Sequence, residues 1–258
     1  MTIRTATLNG VATIEIARPE KKNALTVEMY QAMADALRAA AADTAVRALL
    51  ICGQPGIFTA GNDLEDFMRR APAQGGSASP DSPVFQFMRA LLGCDKPVVA
   101  AVTGAAVGIG TTMLLHCDFV YVSDEARLSM PFVALGLVPE FASSLLVPQL
   151  MGHRRAAEKL LLGDPFTAEQ AVESGIASAV LPAAEVVHHA RRVAERFNRL
   201  PPGAVQDAKR QLRTPQREAV LQTIPTEGEL FAARLRSPEA MEAFQAFFQK
   251  RAPDFTRF

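Results

Sequence analysis

The chain has 258 residues, enough for one large domain, or one domain with a helical appendage, around a sizeable core. Its 27 Lys and Arg balance 27 Asp and Glu, which argues against a general binder of nucleic acid, and 49% hydrophobic with 21% charged residues excludes a disordered chain. Cys52, Cys94 and Cys117 are odd in number and lack metal-ligand spacing, so a zinc site or disulfide framework is not expected and a reducing, cytoplasmic setting is.

Asn9-Gly10 is a hairpin dipeptide, and after it Ala12, Ile14 and Ile16 alternate with Thr13 and Glu15. Thr26 can cap a helix with Met29, Met33 and Leu37 on one stripe, and residues 46–52 read as a buried strand. Residues 71–83, rich in Pro, Gly, Ser and Ala, are expected to form a mobile loop. Residues 97–115 carry no formal charge and are long enough to span a bilayer. Gly104, Gly108 and Gly110 interrupt the run, so it reads as buried strand, glycine turn and helix, with no membrane span. A further strand is expected at 119–122. Strands alternating with helices predict an α/β fold of stacked units.

Beyond about residue 140 the chain turns helical. Thr167 and Gln170 make a capping box, with Gly175 as the stop. Ser237-Pro238-Glu239 opens a last helix whose Met241, Phe244 and Phe248 share a face that needs a partner surface. The expected division is a core over 1–195 and a helical region over 196–258.

Two glycine turns each join an apolar strand to a helix-like run: Phe58-Thr59-Ala60-Gly61-Asn62-Asp63-Leu64, and residues 104–112 with Gly108-Ile109-Gly110 at their centre. Small residues there let backbone N–H groups approach a ligand, and two such turns can form an oxyanion hole; each alone is also explained as a tight connection. Met113 breaks the dinucleotide fingerprint in the second turn. His116, His153, His188 and His189 have no evident Ser or Cys nucleophile beside them, which argues against a triad.

Together these segments resemble the enoyl-CoA hydratase/isomerase (crotonase) superfamily over nearly the whole chain. The resemblance runs through Arg18-Pro19-Glu20-Lys21-Lys22-Asn23-Ala24-Leu25, both glycine turns, Lys96-Pro97, Cys117-Asp118, residues 131–140 and Phe248-Gln249-Lys250-Arg251. It implies a crotonase-like spiral of ββα units with a C-terminal helical region that mediates a homotrimer or dimer of trimers. It implies no cofactor, metal, nucleic acid or membrane, and an acyl-CoA thioester as substrate. The peptide N–H groups of Asn62 and Ile109 then correspond to the oxyanion donors.

By the same resemblance Ala24, Ala60 and Leu64 contact CoA through the main chain, Lys21 or Lys22 stands near its phosphates, and Lys250, with Phe247, reaches CoA on a neighbouring subunit. Leu25, Asp63 and Phe132 complete the substrate-binding set, Asp63 read chiefly as a residue of the turn or helix start. Phe67, Phe85, Phe87 and Phe132 are candidates for the acyl pocket, explained equally by core packing.

The positions at which hydratases carry glutamates are Thr112 and Phe132 here. Glu140, in Leu137-Val138-Pro139-Glu140-Phe141, falls where isomerases resembling the peroxisomal 3,2-enoyl-CoA isomerase place one base. Walls such as Phe132, Leu137 and Phe141 would raise its pKa; a solvated turn carboxylate is the alternative. Ser143 and Ser144 either hydrogen-bond the ligand or cap the helix that follows, and capping is the expected role. The expected activity is double-bond isomerisation of 3-enoyl-CoA to 2-enoyl-CoA. A hydratase or other acyl-CoA conversion, or a silent CoA- or RNA-binding member, remains open.

Overall fold

The computed structural model describes residues 2–70 and 81–258; the side chains of Phe67, Arg69 and Arg70 lie outside that description. So do residues 71–80 of the expected loop, whose end is corrected: Ser82 caps a helix that Pro83 opens.

The strands are β1 (Ile3–Leu8), β2 (Val11–Ile16), β3 (Ala48–Cys52), β4 (Ile57–Thr59), β5 (Val98–Val102), β6 (Ala105–Val107), β7 (Phe119–Ser123), β8 (Arg127–Ser129), β9 (Phe166–Thr167) and β10 (Ala179–Leu181). The helices are α1 (Val27–Ala42), α2 (Leu64–Arg70), α3 (Pro83–Leu92), α4 (Ile109–Thr112), α5 (Ser143–Met151), α6 (His153–Ala157), α7 (Ala168–Glu173), α8 (Val186–Glu195), α9 (Pro202–Leu235) and α10 (Pro238–Phe248).

Two sheets are interleaved, one ordered β1-β2-β3-β5-β7-β10 and a smaller one ordered β4-β6-β8-β9. The chain deposits β3, β5 and β7 in parallel in the first sheet and, a few residues after each, β4, β6 and β8 in parallel in the second. This is an α/β crotonase-like arrangement. Within the expected glycine connection after Val102, β6 is an additional strand, three residues long and so without a readable periodicity.

Asn9 and Gly10 both have positive φ, and β1 and β2 pair antiparallel from Ile3↔Ile16 to Leu8↔Val11. β3 and β5 are buried at every position because both sheet faces are covered. Leu49, Ile51, Val98 and Ala100 join the cluster that holds α1 and α3, whereas Leu50, Cys52, Val99 and Ala101 pack with Val186, Ala190 and Val193 of α8. Caps form as the sequence predicts: Thr26 accepts from Met29 N, Thr167 and Gln170 close their box, and Ser237 accepts from Ala240 N. Of the stripe on α10 only Phe244 is buried; Met241 and Phe248 are exposed, as is Phe247.

Two contacts position the site. The first is the approach of the glycine turns. Gly61, at φ +88°, lies so near β6 that a Cβ would stand 2.8 Å from Val107 O, and a Cβ on Gly110 would stand 2.5 Å from Thr59 Cγ2. The second anchors α9. Lys209 Nζ, buried, lies 2.6 Å from Asp118 Oδ2 and donates to Lys96 O, while Arg213 donates to His116 O and Asp118 Oδ1. Val220, Ile224, Phe231 and Leu235 then enter the main core.

Two outcomes follow, both readable by urea denaturation. Gly61→Ala, with left-handed strain added to a backbone collision, is expected to cost at least about 2 kcal/mol. Asp118→Asn leaves Lys209 buried without its counter-charge and is expected to cost about 3 kcal/mol or more.

Candidate active site

The Arg18-to-Leu25 motif and the first glycine turn are stitched together. Asn23, fully buried, donates to Ile57 O and Phe58 O and accepts at its backbone from Thr59 Oγ1. Ala60 N donates to Lys22 O, and Leu25 and Asn62 form a parallel bridge in which Leu25 N donates to Gly61 O and Asp63 N to Leu25 O. That pairing uses the residues on either side of Asn62, so the Asn62 N–H points away from Leu25.

Asp63 serves the turn and the start of α2, as its chief reading expects. Its Oδ1 accepts from Asp66 N at the start of α2, and its Oδ2 lies 2.7 Å from Arg18 Nη1, so both oxygens serve the protein. Lys21 and Lys22 are exposed on the same turn, with Ala24, Ala60 and Leu64 half-buried beside them and Leu25 buried. Lys250 is exposed just beyond α10.

In the second turn Ile109 opens α4, its side chain buried. Thr111 N and Thr112 N return to Gly108 O, while the Ile109 N–H, at the first helical position, has no partner one turn back. Phe132 stands by this turn, its ring 3.8 Å from where a Gly108 Cβ would be.

Glu140 and Asn62 meet in a recess lined also by Tyr30, Val84, Phe85, Met88, Phe141, Ile224, Gly228 and Phe231. Glu140 is 8% exposed, which rejects the solvated-turn alternative. Thr112 Oγ1 donates to its Oε1 at 2.5 Å, so the residue at one hydratase carboxylate position is a hydroxyl partner of the remaining acid. Burial pushes the Glu140 carboxyl up to about 8; the Thr112 bond opposes that rise and the Glu227 carboxylate adds to it.

Of the expected acyl-pocket phenylalanines, Phe85 lines the recess. Phe87 instead packs behind it, its ring 5.6 Å from Tyr30 and 6.3 Å from Phe141. Phe132 is not among the lining residues, and Phe67 falls outside the described side chains.

Two residues escape the sequence reading. Tyr30, one step from the Met29 stripe, donates its phenol to Asn62 Oδ1 at 2.5 Å; a tyrosine on a buried face needs such a partner, which was the available signal. Burial, with Glu140 nearby, raises its pKa well above the usual tyrosine range. Glu227, on α9, accepts from Ala142 N, Ser144 N and Ser144 Oγ. The expected capping by Ser143 and Ser144 is therefore corrected: the cap at α5 is Ala142, in the left-handed region, and a carboxylate from a distant helix supplies the acceptor. No local pattern announces it.

His116 is buried, stacked on Phe141 at 3.8 Å with Nε2 2.8 Å from Phe141 O. Burial lowers its pKa to about 4, so it is neutral at ordinary pH and supports the turn.

Comparison with known proteins places the chain in a family. A family model described as enoyl-CoA hydratase/isomerase matches residues 6–257. The structure of Pseudomonas aeruginosa OdaA is similar at 52% identity and a TM-score of 0.90, over 95% of this chain and 98% of that one. The 2,3-dehydroadipyl-CoA hydratase of Escherichia coli K12 is 32% identical over 95% of this chain and 94% of its own. Enoyl-CoA delta isomerase 2 of Rattus norvegicus is 33% identical over 94% of this chain, which spans 62% of that relative's length. With the family model matching nearly end to end, the chain belongs to the enoyl-CoA hydratase/isomerase family.

Proposed function

We propose that the protein isomerises 3-enoyl-CoA to 2-enoyl-CoA, with Glu140 as its single base. The observation that carries this reading is the buried Glu140 carboxyl, the one acid among the described residues lining the recess, with Thr112 hydrogen-bonded to it. As carboxylate, Glu140 removes a proton from C2. The C–H electron pair moves toward the thioester carbonyl, giving an enolate conjugated with the C3–C4 double bond. The same carboxyl then returns its proton to C4, the electrons collapse to a C2–C3 double bond, and Glu140 is a carboxylate again.

Enolate charge would be met by the Asn62 and Ile109 N–H groups, each worth about 2.7–4 kcal/mol to the transition state. Tyr30, by its bond to the Asn62 side chain, steadies the first donor. Lys21 and Lys22, exposed, would meet CoA phosphates, and Ala24, Ala60 and Leu64 its length. Exposed Met241, Phe247 and Phe248 fit a subunit contact in a trimer, where Lys250 would reach a neighbour's CoA. A second reading, hydration of 2-enoyl-CoA, is favoured by the near full-length similarity to a hydratase. It asks Glu140 alone to activate water, and Thr112 and Phe132 offer no second acid.

Incubation with 3-enoyl-CoA and 2-enoyl-CoA separately, followed by product chromatography, distinguishes the two readings. Glu140→Gln is expected to lower isomerisation by roughly 10²–10⁴-fold. An E140Q protein as active as the parent would remove Glu140 from the mechanism.

Stability gives an independent check. In the unfolded chain Glu140 titrates near 4.5 and in the folded protein near 8. Below the lower value both states are protonated. As pH rises from there toward 8 the unfolded chain releases a proton that the folded protein keeps, so stability falls. The Tm advantage of E140Q over its parent should therefore grow across that interval and level off above it, as measured by calorimetry at a series of pH values.

A further inference from the structure

We infer that Glu227 is a positioning residue for the Glu140 base: from α9 it closes the Glu140–Ser144 turn with its hydrogen bonds and stands as a second negative charge behind the reacting carboxyl. The inference rests on the proposed role of Glu140.

Within the turn Ser143 N donates to Glu140 O at 3.2 Å, and that one bond leaves two strained residues to be held from outside. Phe141 and Ala142, neither a glycine, have φ of +58° and +59°, a conformation that costs roughly 1–2 kcal/mol per residue and persists only where its surroundings over-determine it. The first N–H groups of α5 also lack helical partners, and no side chain of its own sequence caps it. Glu227 answers both needs. Its Oε2 accepts from Ala142 N at 2.5 Å, and its Oε1 accepts from Ser144 N at 2.9 Å and from Ser144 Oγ at 2.5 Å. His116 grips the same turn from its other side through Phe141.

Glu227 is itself buried, at 7% exposure, and its neighbours Ile224, Gly228 and Phe231 line the recess. One helix thus walls the apolar end of the site and fixes the residue beside the reacting carbons. Burial raises the Glu227 pKa, and all three partners, acting as donors to the ionised carboxylate, oppose that rise.

The groups that face Glu140 are the Thr112 hydroxyl from α4, the Tyr30 phenol from α1 and Glu227 from α9. Those that face Glu227 are the Ala142 and Ser144 N–H groups, the Ser144 hydroxyl and Glu140. The neutral His116 contributes no charge in the working range. Removing the Glu227 charge therefore leaves Glu140 easier to ionise.

The test uses the full-length protein and its kcat/KM profile against pH, with 3-enoyl-CoA or 2-enoyl-CoA, whichever it turns over. Glu227→Gln keeps the shape but places an amide donor against the donors of the turn. It should lower kcat about tenfold or more and move the acidic limb of the profile down by roughly half a pH unit or more. A helix cap of purely structural value would leave that limb in place, and an unmoved limb overturns the inference. Should E227Q fail to fold, Glu227→Asp decides. It retains the charge but draws the carboxylate back by one methylene, so kcat should fall while the limb stays, and an undiminished kcat overturns the inference. E140Q is assayed in parallel. If it is fully active, both the base and its positioning fall; if it is inactive and the E227Q limb is unmoved, only the role of Glu227 falls.

Discussion

The site depends on keeping one carboxyl out of water. Glu140 sits at the bottom of a recess whose other walls are mostly apolar, with one hydroxyl, from Thr112, to satisfy it. Such burial costs on the order of a few kcal/mol when the group is charged, and that cost is what brings its proton affinity near neutrality. A surface glutamate at the same place would be a permanently ionised and weak base. The structure around Glu140 can be understood as what makes that unfavourable placement persist.

Three distant parts of the chain converge for this purpose. α1 brings Tyr30 to the Asn62 side chain, α4 brings Thr112 to Glu140, and α9 brings Glu227 to the backbone of the turn that follows Glu140. α9 can do so because its first half is tethered to the core through Lys209, Arg213 and Asp118. Asp118 also accepts from Val98 N at the start of β5, so the strand leading into the second glycine turn and the helix walling the recess share one anchor. The long C-terminal helix α9 is thereby part of the recess and not only an outer layer.

The fold was legible where local chemistry decides it. The Asn9-Gly10 hairpin, the Thr26, Thr167 and Ser237 caps and the apolar runs of β3 and β5 all state their conformation within a few residues. Three-residue strands such as β6 and β8 are set by pairing with distant neighbours, and carry too few residues for a period. Of the site, the glycine turns stand out by their own small residues, and Glu140 through the resemblance to a family. Tyr30 could have been suspected as a phenol on an apolar stripe. Glu227 could not, because its role exists only once a segment more than eighty residues earlier is folded against it. Asp63 was legible in its chief role: a polar residue inside a functional motif serves the motif's own geometry.

The hydroxyl at position 112 bears on the type of chemistry more directly than any added contact. Thr112 Oγ1 lies 2.5 Å from Glu140, so an acid at that position would set two carboxyl groups within reach of each other, and such a pair shares its protons and titrates in two separated steps. Such a pair suits a reaction that must hold one proton donor and one proton acceptor at once, as water addition does. A hydroxyl neither stores a proton at neutral pH nor repels the carboxylate. It lets a single group cycle between charged and neutral while its position is unchanged. A proton lifted from one carbon and set down two carbons away along the same face needs only that cycle, together with a fixed arc through which the carboxyl can address both atoms. In the proposed isomerisation the strained turn at Phe141 and Ala142, held by His116 and Glu227, would provide the fixed end of that arc.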